Sequence, residues 1–126
     1  MKSDISSRED IHFIIKKFYN KLINDDEMYI FFDHFIKNNT LSHHLEIITD
    51  FWEDILFGTY QYKNNPMQKH LDFANKIPFS EIHFQKWLDY FSTTIDNHFS
   101  GNKATIMKNR AVSISTIMQI KLKKVF

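Results

Sequence analysis

Imidazole, phenol and indole side chains are the groups in this chain that could ligate a metal or hydrogen-bond a small ligand. It has seven His, five Tyr and two Trp, and no Cys. His70 lies in Pro66-Met67-Gln68-Lys69-His70-Leu71-Asp72-Phe73, behind a proline that suits the first position of a helix. Upstream stand Tyr19 and the pair His43-His44, and downstream stands Trp87. One imidazole is enough to hold a haem iron. Its Nδ1–H could donate to the carbonyl of Pro66 or Gln68, which leaves Nε2 for the metal. A partly buried polar histidine on a short helix is the competing reading, and periodicity alone favours it.

Other site chemistries find less support. Adjacent residues on a helix diverge by about 100°, so His43 and His44 do not face one metal together. Glu9-x-x-His12 occurs once, whereas a carboxylate-bridged metal pair in a helical bundle asks for that motif on two helices. There is no His-Glu-x-x-His, no phosphate-binding glycine loop and no Gly-x-Ser-x-Gly elbow. The lack of cysteine excludes disulfides, thiolate metal sites and Cys-x-x-Cys-His attachment of haem. A haem would therefore be held non-covalently.

The scaffold must position these groups with 126 residues, which fits one domain over 1–126. Thirteen Phe supply large flat surfaces for a core or a flat ligand. A net charge of +1 gives no basic face for nucleic acid. No apolar leader opens the chain and no run approaches the roughly 18 apolar residues of a membrane span. A cytoplasmic protein without a membrane partner is expected.

Apolar spacing predicts an all-α fold. A first helix is expected after Ser6 or Ser7, with Glu9 and Asp10 in its first turn. Its apolar positions are Ile11, Ile14, Ile15, Phe18, Tyr19, Leu22 and Ile23, with Tyr19 turned inward. A short apolar segment spans Met28 to Ile36. Ser42 is expected to cap the next helix, which buries Leu45, Ile48, Trp52, Ile55 and Leu56 and has His44 one turn before Ile48. Gly58 fits the left-handed position after that helix. A short helix is expected from Pro66 to about Asn75. The next begins near Ser80, with Ile82, Trp87, Leu88, Phe91, Ile95 and Phe99 inward, and the last begins near Ala104.

The order and spacing of these residues resemble the truncated haemoglobins, and most closely their third group. The resemblance runs along nearly the whole chain. Phe18-Tyr19, Phe31-Phe32, His44 with Phe51-Trp52, Lys69-His70-Leu71-Asp72 and Trp87-Leu88 carry it. The glycine-pair motifs of the first two groups are absent. The resemblance implies a shortened globin, helices stacked two over two around haem b, with His70 as the proximal iron ligand. It also implies that Tyr19, His44 and Trp87 face the ligand on the distal side. Phe32 or Phe31 would pack on the porphyrin, with Ile48 and Phe73 also lining the cofactor. His43, Lys69 and Arg110 are candidates for propionate contacts.

The function so implied is binding of oxygen, nitric oxide or carbon monoxide, tight and slow to release. It would suit ligand capture, sensing or nitric oxide and oxygen redox chemistry with an external reductase, in a monomer. Two alternatives stand beside it. One is a peroxidase-like haem enzyme using His44, for which Arg8 and Arg110 are the only arginines. The other is a haem-free helical interaction module.

Overall fold

The computed structural model describes residues 2–59 and 80–125, with side chains through Ile120. The expected helix from Pro66, with His70 and Phe73, lies outside the described residues, as does Lys69. Within them are five α-helices and no strand: α1 (Arg8–Ile23), α2 (Tyr29–Lys37), α3 (Leu41–Phe57), α4 (Glu81–His98) and α5 (Asn102–Val125).

Helix α1 begins as expected. The Ser7 hydroxyl accepts the Asp10 N–H at 3.2 Å, and the Asp10 carboxylate accepts the Ser6 N–H at 2.9 Å. Ile11, Ile14, Ile15, Phe18, Tyr19 and Leu22 are buried, and Ile23, at the helix end, is only partly so. Burial of each aliphatic or Phe side chain contributes roughly 1.5–3 kcal/mol. This face carries most of the attachment of α1 to the rest of the molecule.

Helix α3 begins one residue before Ser42. Asn39 adopts a left-handed φ of 56° that stops α2. The Thr40 N–H then bonds the Phe35 carbonyl at 2.8 Å, and the Thr40 carbonyl already accepts the His44 N–H at 3.0 Å. Thr40 therefore holds the cap position, and Ser42 is exposed inside the helix. Leu45, Ile48, Trp52 and Leu56 are buried and Ile55 partly so. Gly58 ends α3 at φ 67°, the left-handed geometry its position suggested.

Ser80 caps α4, with a capping box in which His83 Nδ1 accepts the Ser80 N–H at 2.9 Å. Ile82 does not point inward and is 56% exposed. Phe84 takes the buried face with Phe91 and Ile95, and two residues of helix turn Ile82 about 200° from Phe84. Helix α5 starts at Asn102, two residues earlier than its apolar pattern suggests. Its cap comes from far away: the Asp4 carboxylate accepts the Lys103 and Ala104 N–H groups, each at 2.9 Å.

The helices form two pairs, α1 with α3 and α4 with α5, stacked through packing of α1 on α4. Rings fill the centre. Phe91 has Trp52 stacked at 5.2 Å, Phe18 edge-on at 4.9 Å and Trp87 stacked at 5.6 Å.

Candidate functional site

Tyr19 and His44 meet directly. The Tyr19 hydroxyl lies 2.8 Å from His44 Nε2. Helix α1 delivers the phenol from its buried face, and α3 delivers the imidazole from the turn before Ile48. The Tyr19 ring is 3% exposed and meets Phe32 edge-on at 5.4 Å. His44 is half-buried and stacked on Phe35 at 4.0 Å and 21°.

Burial pushes the Tyr19 phenol well above its ordinary pKa, because a phenolate here would lose its water. The hydroxyl therefore keeps its proton. Two arrangements satisfy the 2.8 Å contact. With the imidazole proton on Nδ1, Tyr19 donates to Nε2. With that proton on Nε2, His44 donates to the phenol oxygen and the Tyr19 O–H is free for another acceptor.

Trp87 reaches the same region from α4. The Phe18 ring touches both Tyr19, at 5.5 Å, and Trp87, at 5.7 Å. The indole is half-buried. Its plane lies only 3° from that of Phe91. Ile48, one turn beyond His44, is buried in the same cluster. Phe32 and Phe31 separate: Phe32 faces Tyr19, and Phe31 meets His83 at 4.7 Å. His43 and Arg110 are exposed on α3 and α5.

Three features escape a reading of the sequence by motif. Phe35, the ring that backs His44, is one helical turn after Phe32, and that spacing could have singled it out. Arg8 joins α1 to α3 through Glu46, Asp50 and Glu53, at 2.8, 2.7 and 2.9 Å. Asp25, in the α1–α2 turn, accepts the N–H groups of Glu27 and Met28 and bonds Lys86 and Tyr90 of α4. Burial pushes the Asp25 pKa up, but the Tyr90 hydroxyl, the two backbone N–H groups and Lys86 outweigh it and bring it to about 2.

Flat rings and neutral donors suit a planar apolar cofactor that carries a small ligand. Phe32 supplies a ring and Ile48 an aliphatic wall, while Phe35 backs His44. With His44 donating to the phenol oxygen, the phenol and the indole can each offer a proton to a small acceptor. This donor set fits a haem with a diatomic ligand. A separate cavity of about 480 Å³, lined by Lys2, Asp96, Phe99, Gly101 and Lys108 among others, shares no residue with this cluster.

Comparison with known proteins gives a consistent picture. The family of bacterial-like globins matches residues 3–120. A group 3 truncated hemoglobin of Campylobacter jejuni is 27% identical over 98% of this chain and 97% of its own length. The crystal structure of a group III truncated hemoglobin from Campylobacter jejuni superposes with a TM-score of 0.84 at 27% identity, covering 97% of this chain and 95% of that one. The helix pairs, the inward Tyr19 and the match along nearly the whole chain lead to one assignment: this protein belongs to the bacterial-like globin family, with the fold of a truncated haemoglobin.

Proposed function

We propose that the protein binds oxygen and the related diatomic gases nitric oxide and carbon monoxide tightly, on a non-covalent haem b ligated by His70. Membership of the globins implies a haem and a small gas ligand; the identity of the iron ligand and the kinetics are the proposal. The observation that carries it is the 2.8 Å contact between the buried Tyr19 hydroxyl and His44 Nε2. It supplies a phenol that cannot readily ionise and a histidine that can hold its oxygen.

The haem would supply an iron atom that binds the gas. Phe32 and Ile48 would line the flat cofactor on the side of α2 and α3, with Phe35 holding His44 in place. Tyr19 would donate its O–H to the ligand while its oxygen accepts from His44. Trp87 Nε1–H would donate from α4. A hydrogen bond to a charged group contributes about 1.5–3 kcal/mol, so two donors would slow release by roughly 100-fold or more. Slow release suits ligand capture or redox chemistry on the bound gas better than bulk delivery. In the second case an external reductase supplies electrons. We place the protein in the cytoplasm as a monomer; no described helix is long and apolar enough to cross a membrane.

The peroxidase reading asks for an arginine beside the distal histidine. Arg8 is instead held by three carboxylates of α3, and Arg110 is exposed on α5.

The test is spectroscopic. The purified protein should show a Soret band, and His70→Gly should lose haem or its iron–imidazole signature. Unchanged spectra in His70→Gly would refute the ligand assignment. A colourless protein that refuses added haemin would refute the haem-binding reading.

A further inference from the structure

The Asp25 cluster sits at the junction of the two helices that carry the proposed donors. Helix α1 bears Phe18 and Tyr19 and ends at Ile23, two residues before Asp25. Helix α4 bears Trp87, and the two α4 residues that bond Asp25 bracket it: Lys86 immediately before and Tyr90 three residues after. The Asp25 side chain is only 8% exposed. It receives the Glu27 N–H at 2.8 Å, the Met28 N–H at 3.0 Å, the Lys86 ammonium at 3.2 Å and the Tyr90 hydroxyl.

Four donors converge on one carboxylate, two from the turn after α1 and two from a single turn of α4. An ionised carboxylate accepts at about four lone-pair sites and donates nothing, so it matches this arrangement. Lys86 is also held by Glu27 at 3.0 Å. Trp87 has no comparable polar anchor among the described contacts. Its ring is located by Phe18 of α1 and Phe91 of its own helix. The position of the indole relative to Tyr19 therefore depends on how α4 is seated against the end of α1.

We infer that Asp25 is a positioning residue: by joining the end of α1 to the α4 turn around Trp87, it sets the spacing of the Tyr19 and Trp87 donors and so how well both reach one diatomic ligand. This rests on the reading of Trp87 as a ligand-facing donor. Charge-assisted bonds hold geometry more firmly than neutral ones, and a misplaced donor loses much of its hydrogen bond as the angle opens.

The experiment uses the haem-loaded protein and four variants: Asp25→Asn, Tyr90→Phe, Trp87→Phe and the double Asp25→Asn/Trp87→Phe. Oxygen dissociation rates are measured for all. Indole N–H resonances are recorded in the ferrous state under carbon monoxide, with Trp87 identified by its absence in Trp87→Phe. Asp25→Asn should speed oxygen release roughly three- to tenfold, part of one hydrogen bond, and move the Trp87 resonance while Trp52 stays. Tyr90→Phe, which removes one of the four donors, should act in the same direction with smaller size and keeps the test open if Asp25→Asn fails to fold. In the Trp87→Phe background the effect of Asp25→Asn should vanish. Equal acceleration in both backgrounds, or an unmoved indole resonance, would overturn the proposal. If Trp87→Phe alone leaves release unchanged, the donor reading of Trp87 falls and the ligand role of Asp25 with it. A moved resonance would still mark Asp25 as the residue that seats the ring.

Discussion

The Tyr19 hydroxyl and His44 Nε2 lie 2.8 Å apart, and the imidazole in this contact is stacked on Phe35 at 4.0 Å. The two groups should therefore act as one unit. Tyr19→Phe removes the proposed ligand donor and should speed oxygen release about 10- to 100-fold. His44→Leu should also change release, by leaving the phenol free to turn. In the double variant the two effects should not add, with a coupling of about 0.5 kcal/mol or more, as contacting residues in one network show. Dissociation rates of the three variants give the cycle directly, and strict additivity would separate the two roles.

Much of this pair was legible in the sequence. The spacing of Ile11, Ile14, Ile15, Phe18 and Leu22 places Tyr19 on the buried face of α1, and Ile48 and Trp52 bring His44 to the inner side of α3. Gly58 announced its left-handed turn. The failures have a common cause. Thr40 displaced Ser42 as cap because Asn39 and the Phe35 carbonyl close the α2–α3 corner. Asp4 started α5 early, and Asp25 joined α4, through partners on other helices. Periodicity reports which face of a helix is apolar; it carries no information about a carboxylate that bonds across the fold. Ile82 is the reverse case, an apolar residue whose phase on α4 turns it to solvent.

Acid should weaken the Asp25 junction in a defined window. An unfolded aspartate titrates near 3.8, and Asp25 in the fold near 2. A depressed carboxylate contributes its stabilisation fully above about pH 4, and the contribution fades as pH falls toward the folded value. The stability gap between the parent protein and Asp25→Asn should thus be constant from pH 5 to 7. It should shrink between about pH 4 and 2. Urea midpoints across that range check it, and a gap that widens on acidification would contradict the assignment.

Arg8 should be worth more than a single surface ion pair. Its guanidinium serves Glu46, Asp50 and Glu53 together, and the Glu53 side chain is only 11% exposed. Arg8→Ala leaves three carboxylates facing one another, one of them nearly buried. The loss should be about 1–3 kcal/mol. Part of it should be recovered at high ionic strength, where repulsion among the exposed members is screened. Chemical denaturation at low and high salt reads both terms.

The two glycines should respond differently to alanine. A Cβ on Gly58 would meet nothing within 4 Å, so only the left-handed backbone at φ 67° opposes it. Gly58→Ala should cost about 1–2 kcal/mol. At Gly101, φ is 143° and a Cβ would lie 2.6 Å from Asp4 Cγ. Gly101→Ala should cost more, and its effect should depend on Asp4. Thermal unfolding of both variants, and of Gly101→Ala with Asp4→Ala, separates backbone strain from crowding.

The Asp4 cap also governs the order in which the protein can be completed on the ribosome. Asp4 is synthesised a hundred residues before Ala104, whose N–H it must hold. Chains are made and released N-terminal end first. Ile5, the neighbour of Asp4, is 2% exposed in the finished fold. A nascent chain stalled before residue 102 lacks the two N–H groups that Asp4 caps, and its segment around Asp4 should stay open to proteases. One extended until the first turns of α5 have cleared the ribosome should become resistant.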